Sequence, residues 1–300
     1  MPRTFWPRGA WLRGAWPSGA WLRGGLLLAL ACSLAGCDSG GGYAAKAGQW
    51  HYEERPLERV HADSFKPLDR HFARDRDSGY YRGSVVPGSH GGSFQVLGEH
   101  EARDHRAVFY ADTYRKAQEY WSVRHNRVFE IAGADAATFR VLSQGYAVDR
   151  AQAYFEGQAF RVHHAASFEP LQGGFTRDRE RAYYDRIEIP GSHGASFAMI
   201  DPHDSSYASD RRQVVHGHIE INTPGRAPHP VVRVLQVARV ADFRVLGAGY
   251  ASDGRQVWYR GNKLAEADAA SFQLLPQAND EADARDAGGT YLRGRRSAGG

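Results

Sequence analysis

The chain has 300 residues, 24% of them charged and 12% aromatic, with a formal net charge of +4. Residues 1–36 hold four arginines (Arg3, Arg8, Arg13 and Arg23) and no acid, so the rest of the chain sums to 4 − 4 = 0. The basic balance belongs to the N-terminal segment, and charge therefore gives the body of the protein no nucleic-acid surface.

In chain order, residues 1–36 read as a targeting segment and not as fold. The arginines precede an apolar run, Leu26 to Ala31, far short of the ~20 residues a spanning helix needs. Leu34-Ala35-Gly36-Cys37 follows directly and resembles the bacterial lipoprotein signal. The resemblance implies cleavage between Gly36 and Cys37 and lipidation of Cys37. Several acyl chains would hold the mature protein at a membrane surface, where one chain binds only marginally. Cys32 leaves with the segment and Cys37 is spent on lipid, so no disulfide is expected and packing alone must hold the core. Residues 37–48, rich in Gly, Ser and Ala, are expected to be a flexible tether.

From residue 49 the chain repeats. A phenylalanine recurs at Phe65, Phe94, Phe139, Phe168, Phe197, Phe243 and Phe272, with spacings of 29, 45, 29, 29, 46 and 29. An aliphatic residue lies three positions later in each copy, from Leu68 to Leu275. An aspartate lies ten later at Asp75, Asp104, Asp149, Asp178 and Asp253. An aromatic pair follows: Tyr80-Tyr81, Phe109-Tyr110, Tyr154-Phe155, Tyr183-Tyr184 and Trp258-Tyr259. The fifth copy slips, with Asp210 and Val214-Val215, and the seventh has Asp286 and Tyr291-Leu292. Gln49 to Tyr52 aligns with Gln256 to Tyr259, so the array opens with a half unit that supplies a final strand.

The segment Asp178 to Tyr184, Asp-Arg-Glu-Arg-Ala-Tyr-Tyr, resembles the signature of the DKNYY repeat family of bacterial envelope proteins. Arg or His replaces the family's Lys, as in Asp149-Arg150 and Asp104-His105, and the family's Asn is not kept. The resemblance covers residues 49–294. It implies an extracytoplasmic repeat protein and assigns no chemistry to particular residues.

Each unit reads as β. Its apolar runs are short, rich in Val, Tyr, Phe and Trp, and bounded by Gly, Asp or Ser. Val257-Trp258-Tyr259 places large side chains on both faces of a strand, because successive side chains alternate. Such a strand must be covered on both sides, which stacking against neighbouring units provides. Asp253-Gly254-Arg255-Gln256 has the composition of a hairpin turn. The expected fold is all-β: a tandem array of seven ~29-residue hairpin units, each with a connecting strand or turn, solenoid-like or propeller-like. Insertions near 114–133 and 222–239 break the period. The first is read as a second half unit, Ser122 to Glu130. The second is read as an excursion loop and a strand, Val231 to Val237. Loops projecting from a rigid scaffold often carry binding residues, so the second insertion is a candidate contact region. Pro276 to Gly289 reads as a loop, and residues 295–300 as a disordered tail.

Candidate chemistry weighs lightly. His61, His90, His164 and His193 lie four before a repeat Phe, in a slot also filled by Asp135, Asp268 and Arg239. Asp and His alternating there suggests a turn residue capping the next segment. Metal sites need convergent ligands and not repetition, and His163-His164 and His216-Gly217-His218 add nothing stronger. Pro87-Gly88-Ser89-His90 recurs as Pro190-Gly191-Ser192-His193, a duplicated turn without a nucleophile-elbow pattern. The repeat aspartates are expected to bind local backbone, and the aromatics to form core. No catalytic, cofactor or metal residue is expected. The reading is a non-enzymatic, lipid-anchored envelope protein, on the periplasmic side, that binds or scaffolds an envelope protein or polymer. The alternative is a protein that binds or modifies envelope glycan.

Overall fold

The structure, a computed structural model, describes residues 42–116, 121, 123–221, 223–276 and 280–297. Gly36, Cys37 and the targeting segment lie outside the described residues. The described chain is all-β: eight small antiparallel sheets in tandem, with no closed barrel. We number them 1 to 8 in chain order. Sheet 1 has three strands and spans residues 43–56. Sheets 2 to 8 have four each and span 66–85, 95–130, 140–160, 169–188, 198–235, 244–263 and 273–296.

Each sheet is a meander, fuller than the expected hairpin with a connecting strand. In sheet 2 the strands are Lys66–Pro67, Phe72–Arg74, Gly79–Tyr81 and Ser84–Val85. The outer strands are only two residues long, so they carry no legible alternation of their own. Register pairs Phe72 with Tyr81 and Ala73 with Tyr80. The first pair faces the next sheet, and the second faces the previous one. The small residue opposite the large ring recurs as Ala102 and Phe109, Ala147 and Tyr154, and Ala251 and Trp258.

The repeat Phe fills the space this leaves. Phe65 lies 5.6 Å from the Tyr43 ring of sheet 1 and 5.4 Å from the Tyr80 ring of sheet 2. Phe272 likewise bridges Tyr250 at 5.3 Å and Tyr291 at 5.4 Å. The buried residues fall into seven clusters, each at one junction between consecutive sheets. Burying one such ring contributes about 2–3 kcal/mol, and a lone sheet could bury neither face.

The repeat aspartate fastens the units. Asp178 Oδ1 accepts from the N–H groups of Glu180 and Arg181, which makes the turn into the third strand. Its Oδ2 accepts from the His163 and His164 N–H groups and from the Tyr183 hydroxyl. The local bonding expected of this residue is present, and a contact some 14 residues back is added to it. Asp75, Asp104, Asp149, Asp210, Asp253 and Asp286 make the same paired contacts.

Several boundaries differ from expectation. Tyr43–Lys46, placed in the tether, is a strand paired with Gln49–Tyr52, because Tyr43 is the second-strand aromatic of sheet 1. Among the described residues the opening unit therefore lacks only its first strand. The first insertion is not a half unit. It lengthens one hairpin of sheet 3, whose strands Val108–Tyr114 and His125–Glu130 pair directly. The second insertion does the same in sheet 6, with strands Val214–Glu220 and His229–Leu235. The expected loop after Leu275 contains the strand Ala284–Asp286, and Arg295–Arg296 is the last strand of sheet 8. These short segments are held by pairing and not by apolar content.

Candidate functional site

Two long hairpins project from an otherwise uniform array, and they are built on one plan. Their inner strands, Val108–Tyr114 and Val214–Glu220, have equal length and the same first four buried positions. Alignment from the repeat aspartate makes Val215-His216 the pair of the fifth copy, and not Val214-Val215. Register agrees, since Ala208 faces Val215 and Tyr207 faces His216. His216 thus holds the position of Tyr81, Tyr110, Phe155, Tyr184 and Tyr259.

At that position the ring packs on the glycine of the next sheet's third turn. Gly261 has φ +73°, and a Cβ there would lie 2.7 Å from the His216 ring. Tyr207, edge-on to His216 at 4.8 Å, fixes the first and third turns of sheet 7. Its hydroxyl accepts from the Gly261 N–H at 3.0 Å and donates to the Gly249 carbonyl at 3.3 Å. Burial pushes its pKa up to about 12, so it stays a neutral donor and acceptor.

Between the sheet 6 hairpin and these turns lies a cavity of about 470 Å³. His216, His218, Glu220, Arg233, Arg260 and Asn262 line it, along with Ile219 and Ile221. His216 is only 2% exposed. Burial, with smaller pushes from His218 and Arg233, brings its pKa down to about 4, so the ring is neutral at pH 7. The Nδ1 atoms of His216 and His218 are both buried without a hydrogen-bond partner. His218 Nε2 lies 3.7 Å from Glu220 Oε2. Arg233 donates to Asn262 Oδ1, and Asn262 Nδ2 donates to the Arg260 carbonyl at 3.3 Å, which ties hairpin to turn. Among the described residues neither Arg233 nor Arg260 meets a carboxylate. Arg260 lies over its own Tyr259 ring at 5.4 Å, whereas Arg82 and Arg186 reach back over the aromatic ring of the preceding sheet.

The other candidates settle into structural roles. His90, His164 and His193 begin 3-10 turns without a side-chain capping bond. Their Nδ1 atoms instead meet Ser93, Ser167 and Ser196 at 3.0, 2.7 and 2.8 Å. In the His and Asp copies the backbone N–H of the slot donates to the repeat aspartate. Asp135 and Asp268, with shorter side chains, do accept a local N–H. Ser89 and Ser192 accept from the Gly79 and Ala182 N–H groups, so both hydroxyls brace a strand. Among the described residues no three His, Cys, Asp or Glu side chains converge as a metal would need. His216-Gly217-His218, set aside on sequence, is the stretch brought into a cavity. The available signal was a histidine where every other internal copy has an aromatic ring.

Residues 165–294 match the model of the DKNYY family. No curated protein and no solved structure matches the chain. The DKNYY match spans sheets 5 to 8 and includes the sheet 6 hairpin. Sheets 2 to 4 carry the same aspartate bonding through Asp75, Asp104 and Asp149, so the repeat plan continues ahead of the matched segment.

Proposed function

We propose that this DKNYY protein is a lipid-anchored cell-envelope protein, held on the periplasmic side through Cys37, that works as a non-enzymatic binding or scaffold module. The repeat array is the frame and the sheet 6 hairpin is the contact element. One observation carries this reading. The hairpin holds Ile219, Ile221 and Val234 at 45%, 65% and 48% exposure, beside a cavity that no repeat side chain fills. A strand pair that leaves large apolar side chains in water suits a partner that covers them.

The test is a cross-linked pull-down from intact envelope. Wild type is compared with Cys37→Ala and with an Ile219→Asp, Ile221→Asp double variant. A partner captured by wild type and lost from both variants is the expected result. Equal capture by the double variant would remove the hairpin from the contact. Equal capture by Cys37→Ala would remove the anchor.

A further inference from the structure

The two long hairpins supply an internal control, because one plan carries two different grooves. In the groove of sheets 3 and 4, Tyr110 packs on Phe129 at 5.5 Å and Arg127 pairs with Asp112 at 3.2 Å. The facing turn is Glu156-Gly157-Gln158. At the matched positions of sheets 6 and 7 stand His216, Arg233 and His218, with the turn Arg260-Gly261-Asn262. A packed ring pair becomes an imidazole and a guanidinium, Asp112 becomes His218, and Glu156 becomes Arg260. Arg127 becomes Val231, so the exchange removes two acids and gains, net, one fixed cation on an unchanged backbone.

We propose that the groove between sheets 6 and 7 binds a small oxyanion, a carboxylate or phosphate group. Arg233 is held across the groove by Asn262, with further N–H groups to give, and Arg260 stands on the opposite wall. Guanidinium groups in such a fork match the geometry of carboxylate and phosphate oxygens. His216 adds a neutral donor. Its Nδ1 is sealed against Gly261 with no acceptor, and a buried N–H without an acceptor is the costlier orphan. The proton therefore belongs on Nε2, the nitrogen left toward the cavity. Glu220 stands beyond His218, at the end of the groove away from Arg233, so its charge does not occupy the cationic end. The volume suits a small ligand and not a polymer chain.

This inference rests on the reading of the sheet 6 hairpin as a contact element, and its test is separable from that reading. The full purified chain is titrated calorimetrically with inorganic phosphate, with N-acetyl-leucine, and with N-acetyl-leucine amide as the uncharged control. Saturable binding of phosphate or of the acid is expected, with the amide at least tenfold weaker. Binding of phosphate alone assigns a phosphorylated ligand, and binding of the acid alone assigns a carboxylate. Arg233→Gln and Arg260→Gln should each weaken binding at least tenfold, and Arg127→Gln in the matched groove should leave it unchanged. No saturable binding of either anion, or binding equally weakened by Arg127→Gln, overturns the proposal. Anion binding lost with partner capture intact sinks this site alone, and capture lost with anion binding intact sinks the scaffold reading alone.

Discussion

The Tyr183 hydroxyl donates to Asp178 Oδ2 at 2.7 Å, joining the aspartate of the repeat to the first of its paired aromatics. The same bond joins Tyr80 to Asp75, Tyr154 to Asp149 and Tyr291 to Asp286. It gives the Asp-to-Tyr-Tyr spacing a physical meaning. The aspartate closes a turn, the first ring packs on the repeat Phe and binds back to that carboxylate, and the second ring packs on the following sheet. Asp178→Ala removes the acceptor of five donors, of which only the His163 N–H keeps a second partner, the Tyr183 oxygen, so we expect a loss of about 3–4 kcal/mol and a Tm fall on the order of 10 °C. Tyr183→Phe removes the bond to Asp178 and the one accepted from the His163 N–H, which keeps Asp178 as its acceptor, and should cost about 1–2 kcal/mol. Thermal unfolding followed by circular dichroism separates the two.

Acid should unfold the array in a defined window. Burial pushes the carboxyls of Asp75, Asp104, Asp149, Asp178, Asp253 and Asp286 up, but their N–H and hydroxyl donors outweigh it, and each ends below the ordinary value. A carboxyl with a depressed folded pKa contributes stability above its unfolded value of about 3.9 and loses it as pH falls through the folded one. Stability from these groups should hold down to about pH 4 and then collapse. Loss of structure already complete at pH 5 would contradict this.

His216 acts in a higher window and in one direction. Its folded pKa of about 4 lies below the ordinary imidazole value, so the unfolded chain takes the proton first. Stability is full above about pH 6.5 and falls toward pH 4, by at most about 3 kcal/mol. His216→Phe should shrink the Tm difference between pH 7 and pH 5, leaving the part owed to His71, whose imidazole is also held below its ordinary value by burial. An unchanged difference in that variant would place the titration elsewhere.

Gly261→Ala meets two penalties at once. The residue sits at φ +73°, and its new Cβ would lie 2.7 Å from the His216 ring. We expect a loss of about 1–3 kcal/mol, with altered His216 and His218 ring signals in NMR spectra. Gly254→Ala, also at positive φ but with no atom within 4 Å, should cost less and leave those signals in place.

The sheet 6 hairpin should be dispensable for folding. Replacing residues 218–231 with Asn-Gly keeps the Gly217 and Val232 pair, and with it the buried Val214, Val215 and Leu235. The array should unfold within a few degrees of wild type while partner capture is lost. A collapsed Tm would make the hairpin part of the frame.

The period, the all-β class and the core aromatics are legible in residues alone, because seven copies hold Phe, Asp and the aromatic pair in step. The outer strands are not legible. Lys66–Pro67 and Ser84–Val85 are two residues each and are strands only because a neighbour's backbone pairs with them. Tyr43–Lys46 was masked by its Gly- and Ala-rich surroundings for the same reason. The cavity was hidden more deeply, since His216-Gly217-His218 carries no ligand spacing and gains its meaning from the turn at Arg260, some 40 residues later.

By itself the sequence determined what is local or periodic: the turn aspartates, the alternation that puts rings on both strand faces, and hence the need for stacked neighbours. Only the tertiary structure decided which face of one sheet meets which turn of the next. That contact places a histidine on Gly261 and sets two arginines on opposite walls of one cavity. The physical reason is range: hydrogen-bonded turns and side-chain alternation act over a few residues, while a cavity is the space left between units far apart in the chain.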